Sequence, residues 1–213
     1  MIRLFINYYE DPRPERQAEL LECICRNLIN PYIDKIHILI DDPAPEEFNS
    51  DKIVLHEIDT RPTYDDFIKI IKSVSIPEDV NIISNTDIWF DDSISLIENI
   101  EHNALYALSR YDDNILWDHA DSQDCWIFRL PIDIQLPFKL GIPGCDNRLL
   151  YLFHKAGWKI SNSALSIRTH HIHRSNIRNY KSTDQVPGPY GLCHPAPLGH
   201  EYRIVDNGNI NLI

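Results

Sequence analysis

Four short apolar runs in the first 84 residues constrain the fold more than anything else in the chain. They are Ile2–Tyr8, Lys35–Ile40, Lys52–Ile58 and Val80–Ser84, each of strand length and rich in isoleucine. Between them lie two segments of helical period. Glu15–Leu28 carries Leu20, Leu21, Ile24 and Leu28, with Pro14 near its start and Asn30–Pro31 closing it. Tyr64–Val74 carries Phe67, Ile68, Ile70, Ile71 and Val74 after the turn-like Thr60–Thr63. Strand–helix alternation implies crossover connections and hence parallel pairing, with both sheet faces covered. The expected fold is α/β, with a central mixed, mostly parallel sheet flanked by helices on both faces.

The second half has a more antiparallel character. Ser93–Ile100 reads as a short helix capped by Ser93, and Ala104–Leu108 and Cys125–Leu130 as strands around the polar loop Tyr111–Asp124. Gly144 precedes a helix to about Ala156, which Gly157 ends. Lys159–His173 is extended in character, and a Pro/Gly-rich segment follows. A length of 213 residues fits one domain, 1–213, and an apolar fraction of 43% supplies its core.

The formal net charge is −12, which opposes nucleic-acid binding by tracking of phosphates, though not a nucleotide pocket where a metal neutralises a diphosphate. The five cysteines form no disulfide-like framework, and no stretch approaches the roughly 18 apolar residues of a membrane span. These features suit a soluble, cytoplasmic protein of a reducing compartment, with no membrane span.

In parallel α/β sheets ligands collect beyond the carboxyl ends of the strands. Asn7, Asp41, Asp59–Arg61 and Asn85–Asp87 all sit at the carboxyl ends of predicted strands. Val80–Asp92 is the most telling stretch: its apolar run breaks at Asn85, Thr86 and Asp87, then resumes with Ile88, Trp89 and Phe90. A carboxylate at a strand end suits a hard divalent cation that keeps waters and substrate phosphates in its shell. Asp87 could equally cap a turn. In Thr169–His173, residues two apart share a face of a strand, so His171 and His173 point one way and His170 the other. Gly141–Leu150 opens a helix with free N–H groups and places Asp146 and Asn147 in its first turn, suited to sugar hydroxyls or to ordinary capping. The loop Asp112–Asp124 interleaves carboxylates with Trp117 and His119, a pattern that grips sugars or simply faces solvent. Arg61, between a strand end and a helix, could reach a phosphate. Val186–His200, rich in proline and glycine, is either an inert tail or a lid.

Taken together these motifs resemble the GT-A fold glycosyltransferases, with Ser84–Asp87 standing where such enzymes carry their D-x-D motif and Asn85 replacing its first acid. The chain is more similar still to small glycosyltransferase domains of chlorella viruses, thought to decorate the major capsid protein. The matching motifs are S-Q-D-x-W-I-F at Ser122–Phe128, G-I-P-G-C-D-N-R at Gly141–Arg148 and T-x-H-x-H at Thr169–His173. In viral relatives this domain can be the first part of a longer polypeptide, with host cytoplasm as the compartment.

The resemblance implies a nucleotide-binding half over about residues 1–100 and a sugar and acceptor half over about 101–213. It implies transfer of a hexose from a UDP-sugar to a glycan or glycoprotein acceptor. Mn2+ or Mg2+ would be held by Asp87 with His171 or His173. The nucleotide would lie near Ile6, Asn7, Tyr8 and Tyr9, with Arg61, Asp65, Asn85 and Thr86 close by. Asp124 and Asp146 would hold sugar hydroxyls, one of them deprotonating the acceptor in an inverting reaction. Two rival readings remain at this level: a metal-dependent nucleotide phosphohydrolase built on Asp87, His171 and His173, and a non-catalytic nucleotide- or sugar-binding module.

Overall fold

A computed structural model describes residues 1–41, 43–175, 181, 183–200, 202–205 and 209–212. In chain order, strand β1 (Ile2–Tyr8) leads into helix α1 (Pro14–Ile29), β2 (Lys35–Ile40) and β3 (Ile53–Glu57). Helix α2 (Tyr64–Val74), β4 (Val80–Ser84), β5 (Ile88–Phe90) and β6 (Ala104–Leu108) follow, then a hairpin of β7 (Arg110–Asp112) and β8 (Ile115–Leu116). The remaining elements are β9 (Cys125–Phe128), α3 (Cys145–Lys155), β10 (Lys159–Ser161), β11 (Thr169–His171), β12 (Tyr202–Val205) and β13 (Asn209–Leu212).

The main sheet has the order β13-β12-β10-β6-β9-β4-β1-β2-β3. From β10 to β3 its seven strands run parallel except β9, which pairs antiparallel with both β4 and β6. The architecture is therefore the expected α/β one. Strand β1 is buried along almost its whole length because side chains leave it in both directions. Phe5 joins a core with Tyr64, Phe67 and Ile71 of α2 and Leu149, Leu150 and Phe153 of α3. Leu4, Ile6 and Tyr8 join a second core containing Ile24 of α1 and Ile88 and Phe90 of β5. Helix α2 starts at a capping box: Asp66 N–H donates to Thr63 Oγ1 at 3.3 Å, and Thr63 N–H to Asp66 Oδ2 at 2.8 Å.

Helices do lie on both faces, but α1 shares its face with a second sheet of order β5-β11-β7-β8. This sheet accounts for three departures from the sequence reading. The loop Tyr111–Asp124 begins inside the β7–β8 hairpin, turned by Asp113 and Asn114 at φ +47° and +66°, values that asparagine and aspartate tolerate best among residues with a side chain. Lys159–His173 is two separate strands, β10 in the main sheet and β11 in the small one. The segment Asp92–Asn99 is a 3-10 helix, and its cap is Asp91, not Ser93; Asp91 Oδ1 accepts the Ser93 N–H at 2.9 Å. Among the described residues no helix is long and apolar enough to cross a membrane.

Strand β5 is an edge strand of only three residues, and α1 completes its hydrogen bonding. The side chain of Asn27, 1% exposed, accepts the Phe90 N–H at 3.0 Å and donates to the Ile88 carbonyl at 2.9 Å. Asn30 donates to the Phe90 carbonyl at 2.9 Å. One asparagine thus does the work of a neighbouring strand and fixes α1 against the small sheet. Asn27→Ala should lower stability by about 2 kcal/mol or more, since each buried backbone group left without a partner costs roughly 1–3 kcal/mol. An unchanged urea midpoint for this variant would contradict that role.

Candidate active site

The parallel strands deliver Tyr8, Ser84 and Leu108 to one edge of the main sheet. Because β9 runs the other way, its first residue, Cys125, sits at that same edge, opposite Ser84 and Leu108. Asn85, which follows β4, therefore meets Asp124, which precedes β9. The Asn85 N–H donates to the Asp124 carbonyl at 3.0 Å, and Asn85 Nδ2 donates to Asp124 Oδ1 at 2.8 Å. A cavity of about 600 Å³ opens over this edge, within the range typical of small-molecule sites.

At one end of the cavity stands Asp87, only 8% exposed. Its Oδ2 accepts from Arg16 Nη2 at 2.5 Å and lies 3.2 Å from His171 Nε2 and 4.0 Å from His173 Nδ1. Burial alone would raise the pKa of Asp87. The hydrogen bond and charge of His171, together with the Arg16 guanidinium, outweigh that and hold the carboxyl well below the usual carboxylate range. His171 moves the other way: burial disfavours its charged form, but Asp87 prevails and raises its pKa. The far side of the His171 ring is fixed by Asp112, whose Oδ1 lies 2.6 Å from Nδ1. A carboxylate on the outer ring nitrogen is the arrangement that orients histidine ligands of metals. Asp87, His171 and His173 each offer one ligand atom, all within 4.8 Å of one another, so these residues can hold a metal ion. His170 points away as the alternation requires, stacking on Trp89 with 4.2 Å between centroids and facing Asp91.

The middle of the cavity is lined by Asn7, Tyr9, Arg61, Asn85 and Thr86. Thr86 Oγ1 donates to the Asn7 carbonyl, tying the ends of β1 and β4 together. Arg61 has no hydrogen-bond or ion-pair partner among the described residues, so its charge faces the cavity uncompensated. It lies across Gly141, where a Cβ would come within 2.6 Å of its Nη2 and where φ is +71°; glycine meets both demands.

Asp124 and Asp146 line the cavity as well. Asp124 Oδ2 accepts from Arg110 Nη1 at 3.0 Å. Asp146, in the first turn of α3, has its pKa pushed up to about 7 by burial of the carboxyl, with the neighbouring Asp124 charge adding to the effect. Trp117, His119 and Asp121 of the acidic loop line the cavity too. So does the Pro/Gly-rich segment, which is neither an inert tail nor detached: Val186 N–H donates to the Pro143 carbonyl at 2.9 Å and Gly191 N–H to the Asn147 carbonyl at 2.8 Å. Tyr190 then packs 3.2 Å from where a Cβ on Gly144 would sit, so the glycine admits this wall as well as its own φ of +79°.

Ten of the thirteen residues expected at the site therefore share one cavity, and three do not. Ile6 and Tyr8 point into the core; the Tyr8 hydroxyl accepts from Gln17, and its ring packs edge-on against Phe48. Asp65 lies in the first turn of α2 and accepts the Leu136 N–H at 2.6 Å, which spends it on the loop before α3. Two residues that sequence reasoning passed over are central. Arg16 reads locally as an i,i+3 surface partner of Glu19, and only the fold brings it to Asp87, 71 positions away. Asp112 was one acid among five in its loop; its place opposite His171 follows from the parallel β7–β11 register.

No family model matches the chain, and no curated protein matches it. Among solved structures it is similar to the 2-C-methyl-D-erythritol 4-phosphate cytidylyltransferase of Francisella tularensis, at 16% sequence identity and a TM-score of 0.39, over 85% of this chain and 95% of that one. A likeness at that level bears on neither ligand nor reaction, and the functional reading rests on the cavity itself.

Proposed function

We propose that the chain, as a single domain, is a glycosyltransferase that takes a hexose from a UDP-sugar and passes it to a hydroxyl of a glycan or glycoprotein, with Mn2+ held by Asp87, His171 and His173. One observation carries this reading. A single cavity at the carboxyl edge of the sheet combines three side chains that could hold a metal ion, an arginine with no partner among the described residues and a carboxyl whose pKa lies near neutrality. A binding module needs no such carboxyl, and a simple phosphohydrolase needs no second, sugar-like end with Trp117 and two acids. The resemblance in sequence to GT-A glycosyltransferases supports the same choice.

The donor set fits the metal: one carboxylate oxygen with two imidazole nitrogens suits Mn2+ better than Mg2+, which prefers oxygen alone. When bound, the cation would neutralise the diphosphate and stabilise charge on the leaving group. The chain's own residues do the rest. Arg61 takes a phosphate oxygen, with Asn7 and Tyr9 beside the nucleoside. Asn85 and Asp124, already bonded to each other, accept and donate to sugar hydroxyls. Asp146 removes the proton of the attacking acceptor hydroxyl, a task for which a pKa near the working pH is best.

Two measurements test this. UDP should bind in the presence of Mn2+ and bind far more weakly when the metal is chelated, with GDP and CMP weaker throughout. Asp87→Asn, which keeps the shape of the side chain beside Arg16, should remove the metal dependence. Equal binding of all three nucleotides with and without metal would sink the reading, and release of free phosphate from nucleotides without an acceptor would transfer it to a phosphohydrolase.

The second measurement is a pH profile. Ionised Asp146 is the active form, so turnover should rise with pH through about 7, and Asp146→Asn should lose that limb together with most of the activity. The same raised pKa means the fold favours the protonated acid and loses stability as pH climbs from the ordinary carboxylate range toward 7. Asp146→Asn should accordingly be at least as stable as the wild type at pH 8. A variant that stayed active with an unaltered profile would exclude Asp146 as the base.

A further inference from the structure

Asp87 is the one carboxylate among the three candidate ligands, and Arg16, shared with Glu19, already bonds it. The guanidinium is buried, and its Nη2 is bonded to the same oxygen, Oδ2, that faces both imidazoles. Its Nη1 donates to Glu19 Oε2 at 2.9 Å and, at 3.4 Å, to the carbonyl of Ile172, the residue between the two histidines. Glu19 is itself fixed, accepting from Ser175 N–H at 2.7 Å and from Ser175 Oγ at 2.9 Å. Arginine cannot lose its proton, so this charge stays whatever the pH. A divalent cation entering between Asp87, His171 and His173 therefore meets a fixed guanidinium already bonded to Oδ2, the one oxygen that faces both imidazoles. A nucleoside diphosphate brings its own negative charge and reverses that balance.

We propose that Arg16 sets the order of loading: it keeps the Asp87–His171–His173 group from holding a bare divalent cation and admits the cation together with an anionic diphosphate. This rests on the metal reading proposed above. Arg16 acts through Asp87 and touches no reacting atom, so it is a positioning residue, and its effect should appear in metal binding without turnover.

The experiment titrates Mn2+ into wild-type protein, Arg16→Gln and Arg16→Lys, with and without UDP, following free Mn2+ by its paramagnetic resonance signal. Wild type should bind Mn2+ about tenfold or more weakly without UDP than with it. Arg16→Gln should close most of that gap by binding Mn2+ alone, whereas Arg16→Lys, which keeps the charge, should preserve the gap. Thermal melting checks that each variant folds. If Arg16→Gln does not fold, Glu19→Gln serves instead: it leaves Arg16 wholly to Asp87 and should weaken Mn2+ binding without UDP further still. No gain of bare-metal affinity in folded Arg16→Gln, or none of the expected loss in Glu19→Gln, overturns the role of Arg16 while UDP-dependent Mn2+ binding leaves the metal reading standing. Absence of Mn2+ binding in every protein even with UDP overturns both.

Discussion

Keeping the Asp87 carboxylate charged inside the protein is the demand that most of the site answers. A buried charge left alone costs several kcal/mol, and removing one member of a buried pair leaves the other in that position. Here the compensation comes from two directions, Arg16 on α1 and His171 on β11, and each is secured in turn by another acid, Glu19 and Asp112. The chain of contacts therefore joins the end of β4, the first turn of α1 and the small sheet into one electrostatic unit. The backbone repeats the link, since the Ile172 N–H donates to the Asp87 carbonyl at 3.0 Å. The small sheet is held against the main one by apolar packing, but its register relative to Asp87 is set by these polar bonds.

The reversed strand β9 is the second condition for the site. Had it run parallel to its neighbours, Asp124 would lie at the far edge of the sheet, a strand length from Asn85. Reversal brings Asp124 beside Asn85, and Gln123 beside the start of α3, where its N–H faces Asp146 Oδ2 at 3.4 Å. The parallel half thus supplies Asp87, the small sheet brings His171 and His173 to it, and the reversed strand places Asp124 and Gln123 beside Asn85 and Asp146.

Much of this was legible in the sequence where one interaction dominates. The strands Ile2–Tyr8, Lys35–Ile40 and Val80–Ser84 and the helix Tyr64–Val74 matched their expected limits, because burial on both faces or on one stripe writes a strong period into the residues. The facing of His171 and His173 followed from alternation alone. What could not be read depends on partners distant in sequence. Ile6 and Tyr8 were expected at the nucleotide because the glycosyltransferase resemblance implies it, yet inward residues of a doubly covered strand belong to the core. Arg16 carries no local sign of Asp87, 71 positions away, and the hairpin of Arg110–Leu116 was hidden because a two-residue strand carries no period. Asp91 outcompeted Ser93 as a cap by standing two residues earlier, where its carboxylate accepts the Ser93 N–H.

Charge explains why a cation belongs in the proposed reaction. The chain carries a formal net charge of −12, and four aspartates, Asp87, Asp121, Asp124 and Asp146, line the cavity. Of the three arginines there, Arg16 is committed to Asp87 and Glu19 and Arg110 to Asp112 and Asp124. Only Arg61 is left to meet an anion among the described arginines of the cavity, and one cation does little against a field of that sign. A diphosphate approaching alone would meet mostly repulsion, and a bare divalent ion would meet Arg16. The two together satisfy each other, so the arrangement favours a ligand that is anion and metal at once over either taken singly.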